Sequence, residues 1–212
     1  GRDILYIFDL DGTLLDSNGL WGEVDEEFLA RRGLAVTGEY AEAISRCIFP
    51  TAAVYTKEYY HLPDSPADIM AEWDALAAHH YRDLAPLKAG AAELLAKYRA
   101  ENIPMAMFTA CRPELCRMAL ERFGLTGYFQ HIVYAEEIGL EKHDPACFIR
   151  LSELLGVSPA ECTLFDDSPA NCATARAAGM RVVGVYDDLY AGRQDEMRGL
   201  CGRYVGSLDE LL

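Results

Sequence analysis

Two aspartates two residues apart, Asp9 and Asp11, follow the apolar run Ile4-Leu5-Tyr6-Ile7-Phe8 and precede Gly12 and Thr13. A strand this apolar is expected to be central and covered on both faces. Both acids then fall at its C-terminal edge, where open α/β sheets bind ligands. Carboxylates gathered there repel one another unless a cation or a phosphoryl group organises them. Three further segments bring polar groups to predicted strand ends: Thr109, Lys142 and the run Asp166-Asp167-Ser168. Each is weak alone. A strand-terminal threonine is commonplace, a lone lysine is usually solvated, and the two acids could cap a helix opening at Pro169, although Ser168 already suits that position. Found at successive ends of one sheet, they describe three or four carboxylates and one lysine. That set is a poor anion site until a hard divalent cation with oxygen ligands binds.

The elements that must position these groups read as follows. From residue 87 onward strand-like and helix-like segments alternate. Helices are predicted over 89–100, 113–123, 145–155 and 169–178, and strands over 103–108, 131–134, 162–165 and 181–186. Proline opens helices at Pro66, Pro113, Pro145 and Pro169, where its missing N–H costs nothing; Gly124, Gly156 and Gly179 stop them. Repeated strand–helix units predict a right-handed, three-layer parallel α/β sheet, Rossmann-like in architecture. Residues 16–85 break that rhythm. They hold no convincing strand and several amphipathic helices, the clearest starting at Ser65-Pro66-Ala67-Asp68 and carrying Ile69, Trp73, Leu76 and His80 at helical spacing. The chain therefore reads as an α/β core domain, 1–15 with 86–212, and an inserted helical domain, 16–85, that could act as a lid.

Composition sets limits. The 212 residues suit a core with a modest insertion, and 51% hydrophobic residues suffice for a sizeable interior. Nineteen Lys and Arg against 34 Asp and Glu give a net charge of −15. That balance argues against a nucleic-acid or anionic-membrane partner and means any anion site relies on local groups. No run approaches the ~20 apolar residues of a membrane span, and the N-terminus has no basic and apolar signal regions. Seven scattered cysteines without a CxxC pair suit a reducing compartment, so a cytoplasmic location is expected. Cys111 lacks a positioned histidine and is not expected to be a nucleophile. A monomer is the default expectation.

The ordered set resembles the haloacid dehalogenase (HAD) superfamily, specifically its phosphatases with a helical C1 cap inserted after the first strand. The likeness is tightest over Asp9-Leu10-Asp11-Gly12-Thr13-Leu14-Leu15-Asp16-Ser17. Gly124-Leu125-Thr126-Gly127-Tyr128-Phe129 and the Asp166-Asp167-Ser168 strand end look like the phosphoglycolate phosphatase and β-phosphoglucomutase-like branch. The resemblance implies a hydrolase releasing phosphate from a small phosphorylated metabolite, with Asp9 as nucleophile forming an aspartyl-phosphate. Asp11 would be the general acid, then the base that activates water. Thr109 and the N–H of Ala110 would hold phosphoryl oxygens, and Lys142 would neutralise charge. Mg²⁺ would be held by the Asp9 carboxylate, the Asp11 backbone carbonyl, Asp167 and Asp166.

Departures accompany the likeness. Ala110 stands where many such phosphatases carry asparagine, His143-Asp144 replaces a proline-containing segment, and Asn171 stands where an acid is frequent. Within the superfamily, Asp11 argues against a dehalogenase and, with Lys57 the only lysine of the insertion, against a phosphonate hydrolase. A β-phosphoglucomutase-like phosphomutase shares the core motifs, but Trp21 occupies the approximate place of its early cap histidine. A catalytically silent binding domain would be expected to lack Asp9 or Asp11. Candidate specificity residues are Trp21, Arg46, Phe49-Pro50-Thr51 and the tyrosines Tyr55, Tyr59 and Tyr60, the last three read first as helix packing. His61, His79 and His80 form no defensible metal spacing.

Overall fold

The computed structural model describes residues 4–45, 47, 49–140 and 144–212. The chain divides into two compact units, one of residues up to Asn18 with Ala85–Leu212, the other Gly19–Leu84.

The larger unit is built on a six-stranded sheet in the order β3-β2-β1-β4-β5-β6, with every neighbouring pair parallel. The strands are β1 (Leu5–Phe8), β2 (Met105–Thr109), β3 (His131–Tyr134), β4 (Cys162–Asp166), β5 (Arg181–Val185) and β6 (Arg203–Val205). The chain adds β2 and β3 on one side of β1, then crosses to add β4 to β6 on the other. The reversal leaves a crevice beyond the C-terminal ends of β1 and β4, the position at which doubly wound sheets bind ligands.

Side-chain alternation explains why β1 is apolar at every position. Leu5 and Ile7 point into a cluster with Phe108, Phe148, Leu151, Leu164 and Met180. Tyr6 and Phe8 point to the other face, where Phe8 stacks on Phe165 at 4.3 Å and Tyr6 meets Tyr98 edge-on at 4.9 Å. Each face is thus closed by side chains of a helical layer. Within this unit α5 spans Ala91–Ala100, α6 Pro113–Phe123, α7 Ala135–Ile138, α8 Pro145–Leu155, α9 Pro169–Ala177 and α10 Gln194–Leu200. The prolines open α6, α8 and α9 as expected, with Asp144 and Ser168 accepting backbone N–H groups at the caps of α8 and α9.

Some boundaries shift. The strand expected over 103–108 begins at Met105 and includes Thr109, because Pro104 has no N–H to give the ladder. The strand expected to reach 186 ends at Val185.

The smaller unit contains α1 (Leu20–Ala30), α2 (Gly38–Ile44), α3 (Phe49–Tyr60) and α4 (Pro66–His79), and a π-helical turn over His80–Leu84. Ser65 caps α4, its hydroxyl accepting from the Asp68 N–H at 3.1 Å. Ile69, Trp73, Leu76 and Ala77 form the buried stripe of that helix. Arg32 fastens the end of α1, pairing with Asp64 at 2.8 Å and Glu72 at 2.7 Å while its guanidinium lies 3.7 Å from the Phe28 ring centroid. Among the described residues no helix is long and apolar enough to cross a membrane, and all seven cysteines are free thiols.

Candidate active site

The site begins where β1 ends. Asp9 donates its N–H to the Phe165 carbonyl at 3.0 Å, which continues the β1–β4 pairing one residue past the strand. The chain then closes on itself: the N–H groups of Thr13, Leu14 and Leu15 converge on the Leu10 carbonyl, and Gly12 donates to Leu15 at 2.8 Å. Gly12 has φ +81°, and a Cβ there would lie 2.2 Å from Asn18 Nδ2 and 2.3 Å from Asp167 Oδ2. Glycine is therefore required twice, for the turn and for the approach of β4's carboxylate.

One oxygen from each of Asp9, Asp166 and Asp167 lies within 4.8 Å of the others. All three residues are buried, at 7%, 0% and 3% exposure. Neighbouring groups orient Asp167 and Asp166. Asp167 accepts from Thr13 Oγ1 at 3.1 Å and Asn18 Nδ2 at 2.8 Å. Asp166 accepts from the Ser168 N–H at 2.8 Å and Asn171 Nδ2 at 3.2 Å. Burial, then the nearby Asp9 charge, pushes the Asp167 carboxyl up to about 7, although the bonds from Asn18 and Thr13 oppose this. Three anionic oxygens so close, in so little water, form the hard donor set that suits a small divalent cation.

Asp11 sits beside this cluster and accepts from Ser17 Oγ at 2.6 Å. Asp11, Asp9 and Asp167 line a cavity of about 640 Å³ together with Asn18, Ala110 and Tyr190. Thr109 closes β2 and is fully buried, and its Oγ1 accepts the Cys111 N–H at 3.0 Å. An oxygen that accepts there keeps its own hydrogen to donate elsewhere.

The structure thus brings Asp9, Asp166 and Asp167 together and lines the same cavity with Asp11 and Ala110. Lys142 and His143 lie outside the described residues, as does Arg46. Asn171 does more than replace an acid: its amide donates to Asp166, orienting that carboxylate. Sequence reasoning passed over Asn18, Ser17 and the side-chain role of Thr13, although all three adjoin the Asp9–Asp16 stretch. Tyr190 and Glu136 also line the cavity, and neither stands in a motif that would have marked it.

In the unit Gly19–Leu84, Trp21, Phe49 and Trp73 meet ring to ring, with centroids 5.7 and 5.5 Å apart, and line a cavity of about 610 Å³. Tyr59 and Tyr60 pack against Tyr40 at 5.5 and 5.0 Å, and Tyr55 stacks on Tyr40 at 6.0 Å. Those tyrosines bind helices α2 and α3 to one another.

Comparison with known proteins places these features. The family model described as haloacid dehalogenase-like hydrolase matches residues 6–185. The chain is 30% identical over 182 residues to hexitol phosphatase A of Escherichia coli K12, covering 85% of this chain and 82% of that protein. It superposes with a TM-score of 0.75 on a HAD family hydrolase from Deinococcus radiodurans with bound phosphate and sodium, at 26% identity over 99% and 93% of the two chains. A β-phosphoglucomutase from Clostridium difficile matches with a TM-score of 0.71 at 18% identity, covering 100% of this chain and 94% of that one, a likeness of fold alone.

Proposed function

We propose a function for a chain that belongs to the haloacid dehalogenase-like hydrolase family and is a phosphoric monoester hydrolase: it is a Mg²⁺-dependent phosphatase of small phosphorylated metabolites that works through an aspartyl-phosphate. Membership rests on the match over residues 6–185 and the 30% identity to a hexitol phosphatase. The observation that carries the reading is the buried trio Asp9, Asp166 and Asp167 within 4.8 Å, with Asp11 on the same cavity.

Asp9, Asp166 and Asp167, with the Asp11 carbonyl, are the groups that would hold Mg²⁺, which when bound supplies charge neutralisation and Lewis-acid polarisation of the phosphoryl group. The remaining chemistry belongs to the chain. An Asp9 oxygen attacks phosphorus, forming the acyl phosphate as the ester P–O bond breaks. Asp11, oriented by the Ser17 hydroxyl, gives its proton to the departing alkoxide. The same carboxylate then takes a proton from the water that attacks the acyl phosphate, releasing inorganic phosphate and restoring Asp9. Thr109 donates to a phosphoryl oxygen, since its own oxygen already accepts the Cys111 N–H. Lys142 and the Ala110 N–H complete the proposed phosphate contacts.

Substrate selection is assigned to the helical insertion, whose aromatic cavity of about 610 Å³ suits a small molecule. Two relatives' names, hexitol phosphatase and phosphorylated carbohydrates phosphatase, favour a phosphorylated sugar or polyol. A panel of phosphometabolites, assayed for inorganic phosphate with Mg²⁺ or EDTA, tests the reading. Sugar and polyol phosphates should be turned over only with the cation. Interconversion of sugar 1- and 6-phosphates without phosphate release would replace the phosphatase by a mutase.

A further inference from the structure

At the sheet edge opposite the aspartates, the N-terminal ends of β4, β5 and β6 border a second cavity, of about 550 Å³. Tyr6, Thr163 and Arg181 stand in one lateral row across β1, β4 and β5, and Val183 is in register with Arg203 on β6. Residues in register on neighbouring parallel strands share a face, as do residues two apart on one strand. Thr163, Arg181 and Arg203 therefore project to the same side. Strand spacing of ~4.8 Å and a rise of ~3.3 Å put the Cβ atoms of the two arginines about 8 Å apart, within reach of one shared ion.

Three observations mark this cavity. It is lined by three arginines, Arg176 being the third, and by no acidic residue, in a chain of net charge −15. The Arg181 guanidinium has no hydrogen-bond or ion-pair partner among the described residues, and the Arg203 guanidinium uses only Nη2, on the Glu210 carbonyl at 3.2 Å. Thr163 also lines the cavity, and its hydroxyl is not among the buried unpartnered polar atoms, so it is open to whatever fills that space.

We propose that this cavity is a second anion site, taking the phosphoryl group of a small phosphorylated metabolite between Arg181, Arg203 and the Thr163 hydroxyl. Two planar guanidinium forks match the oxygens of a phosphoryl dianion, and the hydroxyl supplies a further donor. The occupant is small, because a long polyanion is repelled by the acidic remainder of the surface. The site is separate from the aspartate cluster: Thr163 is three residues before Asp166 on β4, about 10 Å along the strand.

Inorganic phosphate is the probe, titrated in EDTA so that the uncompensated aspartates repel it from the other site. Backbone amide shifts are followed by NMR in the wild type, Arg181→Gln/Arg203→Gln and Thr163→Val. Saturable shifts are expected at Gly202 and Arg203, with affinity at least about tenfold weaker in the double variant and several-fold weaker in Thr163→Val. Hydrolysis of p-nitrophenyl phosphate with Mg²⁺ should stay at the wild-type rate in both, which also reports that they fold. The wild-type shifts stand as a test should a variant fail to fold. Absence of saturable shifts at these amides, or equal affinity in the double variant, overturns the proposal. Citrate binding more tightly than methyl phosphate would overturn the phosphoryl assignment in favour of a polycarboxylate.

Discussion

Replacing Asp167 by Asn should stabilise the metal-free protein while abolishing its activity. Asp167 is 3% exposed, and its carboxyl is pushed from 3.8 up to about 7 by burial and the Asp9 charge. An acid whose folded value lies above its unfolded one binds its proton more tightly in the folded state. Stability from this group is therefore lost as pH rises from about 4 to about 7, and the loss is complete above that. Three units at ~1.36 kcal/mol each put the cost near 4 kcal/mol at pH 8, an upper figure because relaxation reduces it. Asparagine removes the charge and keeps the contacts. Its carbonyl accepts from Asn18 Nδ2, and its amide donates to Thr13 Oγ1, which as a hydroxyl can accept. Denaturant unfolding in EDTA should show Asp167→Asn about 2–4 kcal/mol more stable than wild type at pH 8 and nearly equal at pH 4. Mg²⁺-dependent turnover should fall by at least about 10²-fold. A variant less stable than wild type at pH 8, or a gain independent of pH, would refute the reasoning.

The same raised carboxyl gives metal binding a pH dependence. Since the ligand must be deprotonated, Mg²⁺ affinity should weaken by up to about tenfold per pH unit below about 7 and level off above it, with proton release visible in calorimetry at pH 6. Gly12→Ala should lose about 2 kcal/mol or more of stability, read by thermal unfolding, and nearly all turnover, because the new methyl meets Asp167 and Asn18 at 2.3 and 2.2 Å. Ser17→Ala should lower kcat about tenfold with little change in KM, since it removes the hydrogen bond by which Ser17 orients Asp11 without touching bound phosphate. Arg32→Met should destabilise the helical unit by about 1–3 kcal/mol, measured by denaturant unfolding, because Asp64 and Glu72 lose their shared partner.

Much of the parallel sheet could be read from the chain, because its strands are short apolar runs separated by helices with proline at one end and glycine at the other. β6 could not. Arg203-Tyr204-Val205 is three residues long and half exposed, and its strand character comes from pairing with β5. The four-residue α7 and the π-helical turn at His80–Leu84 are likewise too short to carry a periodic signal. The acids at the ends of β1 and β4 were legible because a carboxylate is out of place beside a buried strand. Their supporting groups were not: Asn18 and Asn171 are ordinary loop and helix residues until the fold places them on Asp167 and Asp166. Lateral placement also hid the arginine cavity, since Arg181 and Arg203 are far apart in sequence and meet only through the β5–β6 register.

The central claim is that the Asp9 side chain carries phosphorus during turnover. Acid quenching during hydrolysis of a good substrate, followed by mass spectrometry of the peptides, reads this directly. One phosphoryl group on Asp9 in the quenched enzyme, absent in EDTA and in Asp9→Asn, is the predicted result. Phosphate found on another residue, or full turnover by Asp9→Asn, would contradict it.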